Sequence, residues 1–283
     1  FRFPAIGLVR GLLVASLATS LLASCGGSSS QVDAFVPQRI LTFGDELSLL
    51  TPEGKKYSTN SATTTDGLIC EEQPLWVQYL ATSHYGMVYS QCNPDSKTET
   101  NAKMLAAYGA TVDGFVTQTQ TFAAGDSFSG NDLVTVMVGM NDVLAAYARY
   151  PVESAAALSA EMTAKGKLLG ATINSLTDTG ARVLISTVPD IGLSPFAIAE
   201  KAAHTDTDRA ALITSLVKSL NDAMRLTIIN DGSKIGLLVA DDLTKAMVRV
   251  PTAYGLTNTT VPVCATALPD CTSLTLITGG SSV

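Results

Sequence analysis

From residue 39 onward, runs of consecutive apolar residues alternate with longer stretches in which apolar residues recur at helical spacing. The apolar runs lack strict alternation with polar residues, which is typical of strands buried on both faces of a parallel sheet. The stretches between them are long enough for the helical crossovers that parallel strands require. The predicted strands span residues 39–43, 133–138, 182–188 and 235–240, with a weaker one at 87–90, and the predicted helices span 74–83, 152–176 and 206–230.

This alternation predicts the α/β class, as a three-layer α/β/α sandwich with a mainly parallel, flavodoxin-like sheet. Gly180 suits the C-terminal end of the second predicted helix, and Asp206 and Asp208 suit the N-terminal end of the third. No internal repeat, basic block or long low-complexity segment interrupts the pattern. We therefore predict one domain over residues 36–283.

Residues 1–24 have the pattern of an export signal. Arg2 and Arg10 flank the start of an apolar run at 11–22, which is shorter than the about 20 apolar residues of a membrane-spanning helix. The run ends in Leu-Ala-Ser-Cys at 22–25, which resembles the lipobox of bacterial lipoproteins, and a linker follows over 25–35. The resemblance implies cleavage before Cys25, lipidation of Cys25 and attachment to a membrane through its acyl chains. The alternative is an ordinary cleaved signal with a chance cysteine. Gly26, where an Asp would favour inner-membrane retention, indicates the outer membrane, on its periplasmic or surface face.

Composition narrows the classes of partner and site. The formal charge is −7, which argues against nucleic acid as a partner because a basic surface supplies most of that affinity. With only two histidines in the chain, we expect no metal site and no cofactor. Four cysteines besides Cys25 indicate disulfides in an exported protein. Proximity favours Cys70–Cys92 and Cys264–Cys271 among the alternative pairings.

Polar residues follow three of the predicted strands, where an open parallel sheet binds its ligands. Gly-Asp-Glu-Leu-Ser stands at 44–48, Gly-Met-Asn-Asp at 139–142, and Pro-Asp-Ile-Gly-Leu-Ser-Pro at 189–195. Small residues followed by carboxylates and amides at several strand ends predict a polar pocket at this edge of the sheet.

These segments resemble the sequence blocks of the GDSL/SGNH esterases and lipases. Residues 44–48 resemble the first block, Gly-Asp-Ser-Leu-Ser, and 106–112 resemble the loop that supplies a glycine in the second. Residues 139–142 match the third block, Gly-x-Asn-Asp, and further similarity runs through 188–195 and 251–258. The resemblance covers most of residues 38–271 in the family's order.

The resemblance implies hydrolysis of acyl or acetyl esters of a small molecule, a lipid or a glycan. In the family the first-block Ser attacks the ester carbonyl, while its backbone N–H, the second-block Gly N–H and the third-block Asn side chain hold the oxyanion. Carried onto this chain, Glu46 takes the nucleophile position, with Asp45 beside it, and Gly109 and Asn141 take oxyanion-hole positions. The remaining block residues, expected to support them, are Gly44, Ser48, Gly139 and Asp142.

Glu46 departs from the family because a carboxylate has no hydroxyl to deprotonate. A carboxylate here could attack an ester to give an anhydride, and it would need cationic or hydrogen-bonding support. Three interpretations stay open: a binding protein that has lost hydrolysis, an esterase with an altered mechanism, and a laboratory substitution that silences a normal enzyme. Ser48 could substitute as nucleophile, although we expect it to cap a following helix. Gly-Asp-Ser-Phe-Ser at 125–129 matches the first block literally, but it precedes a strand, so we predict a turn there.

The family's last block, Asp-x-x-His, is absent from the 283 residues. His84 and His204 stand outside its expected place, and we expect neither to be catalytic. We expect this block to follow Val283, with the domain truncated at its C-terminus; the alternative is a natural end with neither Ser nor base. Trp76 and Tyr79, at helical spacing, are expected in the core. Two functions therefore remain: an envelope-anchored ester hydrolase, and a non-catalytic lipoprotein that binds an acylated glycan or lipid through the same pocket.

Overall fold

The structure, a computed structural model, describes residues 34–93 and 100–277. The predicted signal at 1–24 and the lipidation site at Cys25 lie outside the described residues. From Val36 onward the described residues belong to one compact unit. In these ranges, no helix combines the length and apolar composition needed to cross a bilayer.

A five-stranded parallel sheet forms the centre of the unit. Its strand order is β4-β1-β5-β6-β7, so β1 and β5 lie side by side at the middle. Ile40 of β1 is in register with Ala102 of β4 on one side and Leu133 of β5 on the other. The strands are β1 (Arg39–Gly44), β4 (Ala102–Met104), β5 (Asp132–Met137), β6 (Arg182–Ser186) and β7 (Ile235–Leu238), and an antiparallel pair, β2 (Ser61–Thr63) and β3 (Gly67–Ile69), stands apart from them.

Helices flank the sheet and give the predicted α/β/α sandwich. Leu41 and Phe43 of β1 enter a hydrophobic core shared with the second, fourth and sixth helices. The alternate residue Thr42 bonds the buried Tyr89 hydroxyl at 2.6 Å, because side chains alternate across a strand. The helices are α1 (Trp76–Tyr79, continued by a π-helix at Leu80–His84), α2 (Val112–Gly125), α3 (Met140–Tyr147), α4 (Ala155–Asp178), α5 (Pro195–Ala203), α6 (Arg209–Thr227) and α7 (Ala240–Arg249).

The predicted helix ends at α4 and α6 are confirmed. Gly180 follows α4 with φ +93°, in the region that glycine adopts without strain. The Asp208 side chain accepts a hydrogen bond from the Ala211 N–H at 3.0 Å and so caps α6. Both helices pack against each other on one face of the sheet.

One predicted strand is wrong. Residues 87–90 do not form a strand of the sheet: only Tyr89 makes an isolated bridge, to Ala102. Gly86, three residues before Tyr89, has φ +64°, and a 3-10 turn begins at Ser90. The extended conformation is therefore confined to a single bridge. The fifth strand is instead β4, whose three residues pair with β1.

Both predicted disulfide pairings are present. Cys70 and Cys92 have Cα atoms 5.4 Å apart, and Cys264 and Cys271 have Cα atoms 5.6 Å apart. The second loop is tied to the segment after β1, because the Asn60 N–H donates to the Cys271 carbonyl at 2.9 Å. The C-terminal segment is therefore fixed beside the loop that leaves β1.

Candidate active site

The turn after β1 depends on a glycine. Gly44 has φ +118°, and a Cβ added there would lie 2.0 Å from the Met137 carbonyl oxygen of β5. The side chain of Gln118, on α2, also spans this position: it accepts from the Gly44 N–H and donates to the Gly44 carbonyl, each at 3.0 Å. The chain can therefore turn sharply at the carboxyl edge of the sheet and present the next two residues, Asp45 and Glu46.

A second glycine makes the corresponding turn after β5. Gly139 has φ +123°, and a Cβ there would lie 2.9 Å from the Val188 side chain. Helix α3 starts immediately afterwards, at Met140. This turn places Asn141 and Asp142 in the first turn of α3, at the same edge of the sheet as Glu46.

The carboxylate of Glu46 lies between the two predicted oxyanion-hole donors. Its Oε2 accepts a hydrogen bond from the Gly109 N–H at 3.0 Å and another from Asn141 Nδ2 at 2.9 Å. Glu46 is buried, with 8% of its surface exposed. The structure thus brings Glu46, Gly109 and Asn141 together, and it places a carboxylate oxygen where two N–H groups converge.

The loop that carries Gly109 is held by the start of α3. Asn141 Nδ2 also donates to the Ala110 carbonyl at 3.1 Å, and Asp142 Oδ2 accepts the Val112 N–H at 2.9 Å. Asp142 is buried, which raises the pKa of its carboxyl, while the Val112 N–H opposes that shift. Asp142 therefore fixes the loop and the start of α2.

Asp45 is a buried carboxyl with an incomplete set of partners. The Leu47 N–H donates to its Oδ1 at 3.0 Å, and the Met140 N–H also points to the carboxyl. Its Oδ2 is buried without a hydrogen-bond partner. Burial raises the pKa of Asp45 to about 7, and the nearby charges of Glu46 and Asp142 add to the shift. A large fraction of Asp45 therefore carries a proton at neutral pH.

The expectation that Ser48 caps a helix is wrong, because the structure describes turns and short strands, and no helix, over residues 49–75. The Ser48 N–H closes a turn onto the Asp45 carbonyl at 3.1 Å, and its hydroxyl accepts from Trp76 Nε1 at 3.1 Å. Ser48 is fully buried, and its hydroxyl therefore holds the Trp76 ring in place. The expected core position of Tyr79 is also wrong, since 56% of its surface is exposed, while Trp76 is half-buried.

The Gly-Asp-Ser-Phe-Ser segment at 125–129 lies at the opposite, amino edge of the sheet. Asp126 pairs with Arg39, the first residue of β1, at 2.8 Å, and with Lys103 at 3.0 Å. The pairing with Lys103 and with Arg39 lowers the pKa of Asp126 to about 2. Gly125 ends α2, and residues 126–129 connect that helix to β5, so the segment precedes a strand as predicted and lies at the opposite edge of the sheet from Glu46.

Neither histidine contacts Glu46. The ring of His84 lies against Tyr79 and Tyr85, with centroids 5.9 and 6.4 Å away. His204 is exposed at the end of α5, where its Nε2 lies 3.5 Å from Glu200. Within residues 34–93 and 100–277, no cluster of His, Cys, Asp and Glu could hold a metal ion.

Two features beside the site were not predicted. A stacked pair of tyrosines, Tyr57 and Tyr108, lies next to Gly109, with ring centroids 5.0 Å apart. An apolar cavity of about 550 Å³ opens beside α3 and is lined by Met140, Leu144, Tyr147, Ala148, Ile191, Ser194, Phe196 and Glu200. The sequence signal for the tyrosine stack was a tyrosine directly before the candidate oxyanion glycine. The apolar cavity depends on α5, which the hydrophobic pattern did not predict.

The arrangement defines a class of protein: an α/β/α sandwich whose carboxyl edge holds two N–H donors on one negatively charged oxygen, as acyl-transfer hydrolases do for an oxyanion. The sequence profile of the family GDSL-like Lipase/Acylhydrolase matches residues 40–275. The chain belongs to this family, as the resemblance of its blocks predicted.

Several solved structures are similar to this chain at low identity. A member of the lipolytic protein G-D-S-L family from Veillonella parvula is 15% identical and covers 79% of this chain and 88% of its own, with a TM-score of 0.40. The acetyl xylan esterase AlAXEase is 14% identical, with 76% and 84% covered and a TM-score of 0.38. A GDSL-like lipase from Parabacteroides merdae is 14% identical, with 81% and 89% covered and a TM-score of 0.42. The comparison with curated proteins gave no match.

Proposed function

We propose that this protein hydrolyses carboxylic esters, with acyl or acetyl groups, at the site formed by Glu46, Gly109 and Asn141. The observation that carries the proposal is the convergence of Gly109 N–H and Asn141 Nδ2 on one carboxylate oxygen, at 3.0 and 2.9 Å. Glu46 Oε2 stands in for the oxygen that becomes negative when an ester carbonyl is attacked. Donors fixed at this distance act on the transition state, and one of them is typically worth about 3 kcal/mol in an acyl-transfer enzyme.

For hydrolysis, the ester carbonyl oxygen has to replace Glu46 Oε2 between these donors. The displaced carboxylate then remains beside the carbonyl carbon, where it can accept the proton of an attacking water. The water oxygen bonds to the carbonyl carbon, the alkoxide leaves with that proton, and a carboxylic acid and an alcohol are released. Direct attack by Glu46 would instead form an anhydride, which a water must then hydrolyse.

The second candidate is a non-catalytic protein that binds an acylated glycan or lipid in the same pocket. The position of Glu46 favours it, because a neutral ester oxygen has to displace a carboxylate oxygen. A hydrogen bond to a charged group contributes about 1.5–3 kcal/mol and a neutral one about 0.5–1.5 kcal/mol. Two such replacements disfavour the ester-bound state by roughly 2–3 kcal/mol, which lowers kcat/KM about 30- to 150-fold when the chemical step is unchanged.

The test compares the full chain with Glu46→Ser and Asn141→Ala, using p-nitrophenyl acetate and butyrate. Turnover by the unaltered chain that falls in Asn141→Ala supports the hydrolase, since it requires the oxyanion hole. No turnover in the unaltered chain, with turnover appearing in Glu46→Ser, refutes the hydrolase in favour of the binding protein. Asn131→Ala, a change at an exposed asparagine before β5, controls for nonspecific effects of the substitution.

We also propose that the chain is exported as a lipoprotein, anchored to the outer membrane through acylated Cys25. The Leu-Ala-Ser-Cys sequence at 22–25 supports the proposal, and the two disulfides fit an oxidising compartment. Labelling with radioactive palmitate should mark the unaltered chain but not Cys25→Ser, and membrane fractionation should place the label in the outer membrane. An unlabelled, unattached chain would refute the anchor and leave the ester site unaffected.

A further inference from the structure

Tyr57 and Tyr108 form a flat aromatic surface at the rim of the site. Their rings are stacked, with centroids 5.0 Å apart and planes inclined by 24°. Tyr108 nevertheless has 68% of its surface exposed. One ring face of Tyr108 is covered by Tyr57, so the exposed fraction belongs to the other face and the ring edges. A stacked aromatic pair with one face open to solvent offers a ligand a flat apolar surface.

The position of the stack relative to the oxyanion hole follows from the chain itself. Tyr108 directly precedes Gly109, whose N–H donates to Glu46 Oε2. Partial burial raises the pKa of the Tyr57 hydroxyl, and the proximity of Tyr108, Glu46 and Asp270 adds to that shift. Because Tyr108 adjoins Gly109 and Tyr57 lies near Glu46, the alcohol part of an ester held at Gly109 would lie beside the tyrosine stack.

Hydrogen bonds hold the loop that carries Tyr57 in place. The Lys56 N–H donates to Asn60 Oδ1 at 2.8 Å, and the Lys56 Nζ donates to the Gln73 carbonyl at 3.1 Å. The Asn60 Nδ2 donates in turn to the Pro269 carbonyl at 2.8 Å. Because Tyr57 follows Lys56, its ring is presented by an ordered backbone, which lowers the entropic cost of binding a ligand there.

We propose that the Tyr57–Tyr108 stack binds a neutral sugar ring, as the alcohol part of the ester. This inference rests on the proposed ester site. The open face of Tyr108 matches the C–H face of a pyranose ring, while the nearby carboxylates of Glu46 and Asp270 can accept hydrogen bonds from its hydroxyls. Lys55 pairs with Asp270 at 2.6 Å, so Glu46 remains the carboxylate without a cationic partner in this group. Its charge disfavours an acidic sugar.

A single open face also favours a ring over a quaternary ammonium group. Cations of that kind are bound by aromatic rings that surround them, and their attraction grows as they are desolvated. Tyr108 offers one face, and its high exposure leaves a ligand largely in water. A flat ring can use that one face, whereas an ammonium group would make little contact.

The experiment measures binding to the full chain by isothermal calorimetry and NMR, with 6-O-acetylglucose as the probe. Ethyl acetate supplies the same acyl group without a ring, and acetylcholine and phenyl acetate supply a cationic and an aromatic alcohol. Tyr108→Ala should raise the Kd for 6-O-acetylglucose about tenfold, which corresponds to one lost ring contact. Tyr108→Phe should retain binding, because it keeps the ring. Tyr79→Ala, at another exposed tyrosine, is the matched control and should also retain it.

An unchanged Kd for 6-O-acetylglucose in Tyr108→Ala refutes the sugar subsite, even where ester turnover is present. A loss confined to acetylcholine or to phenyl acetate refutes the sugar assignment and identifies the other alcohol. Failure of the ester site is distinguishable, because methyl glucoside, which has no ester to hydrolyse, must show the same loss of binding in Tyr108→Ala, while acetate release from 6-O-acetylglucose is followed separately. A chain that hydrolyses no ester but binds the sugar through Tyr108 keeps the subsite and loses the hydrolase.

Discussion

Replacing Asp45 by Asn should remove a pH-dependent loss of stability that originates in the site. The folded chain raises the pKa of Asp45 from 3.8 to about 7, chiefly by burial. Folding therefore binds the Asp45 proton more tightly than the unfolded chain does. The stabilisation is complete below the unfolded pKa and is lost as the pH rises through the folded one. A shift of this size corresponds to about 4 kcal/mol over the whole range, of which about 3 kcal/mol falls between about pH 5 and pH 8.

Asn is a close substitute for the protonated form of Asp45. Its carbonyl oxygen can accept the same N–H groups of Leu47 and Met140 that point to the carboxyl. Its amide nitrogen would replace Oδ2, which already has no partner. The variant should thus match the unaltered chain near pH 5 and exceed it by about 3 kcal/mol near pH 8.

The assay is urea unfolding of both chains at several values from about pH 5 to pH 8, with the free energy of unfolding compared at each. The comparison removes the pH-dependent contributions of every other group that both chains share. Leucine at position 45 is not a suitable control because it loses the accepted hydrogen bonds, whereas Asp126→Asn changes a carboxyl that stays ionised throughout this range. A free-energy difference between the chains that does not change with pH would refute the assigned protonation of Asp45.

Three further changes probe the site and its frame. Glu46→Ala should leave the Gly109 N–H and its partner donor free to bind added acetate, and NMR should show the Gly109 amide shift in the variant but not in the unaltered chain; no shift would contradict the vacated hole. Gly44→Ala should destabilise the chain by about 3 kcal/mol or more in thermal unfolding, because the new methyl group meets a backbone oxygen at a positive φ, and near-native stability would refute that constraint. Changing Cys70 and Cys92 to Ser should cost about 3 kcal/mol through the freed loop, measured as a lower urea midpoint with the other disulfide intact; an unchanged midpoint would show that the bond contributes nothing.

The hydrophobic pattern predicted the centre of the fold because burial on both faces leaves a strong signal. Arg39–Gly44 agrees with the prediction to within one residue, since every residue after Arg39 in this strand is buried. Strand β4 gave no such signal. Its three residues include the exposed Lys103, and its extended conformation comes from pairing with β1. Short edge strands are formed by their neighbours, so a pattern read along the chain misses them.

The hydrophobic pattern did not predict helices α2 and α3, for a different reason. Helix α2 is rich in Thr and Gly, which have weak helix propensity, and it is stabilised by Phe115 and Phe122 packing on Phe43. Helix α3 begins within the Gly-x-Asn-Asp block, which we interpreted by its chemistry and not by its hydrophobic periodicity. Both helices depend on tertiary packing, which a pattern read along the sequence does not contain.

At the site, the sequence predicted which residues would come together but not which atoms would meet. Strand ends placed Glu46 and Asn141 at one edge, and the resemblance added Gly109. The requirement for hydrogen-bonding support of Glu46 also followed from its charge. In the structure, the oxyanion donors themselves provide this hydrogen-bonding support to Glu46. Whether they do so depends on how far the Glu46 side chain extends, and the turn at Gly44 fixes its starting point.

The positions of Asp45 and Glu46 are two parts of one electrostatic arrangement. The charges of Glu46 and Asp142 both raise the pKa of Asp45 at this edge of the sheet. Glu46 receives two N–H donors, and Asp142 receives one N–H and lies 3.9 Å from Lys165. Asp45 has one oxygen without a partner, and it holds a proton because its own negative charge would be buried beside two others. When an ester displaces Glu46 from the oxyanion hole, Glu46 loses its two N–H donors and its charge remains beside Asp45. The proton on Asp45 is then held more strongly. If esters are hydrolysed here, substrate binding should therefore be accompanied by proton uptake in neutral buffer, a coupling that a site with serine in place of Glu46 would lack.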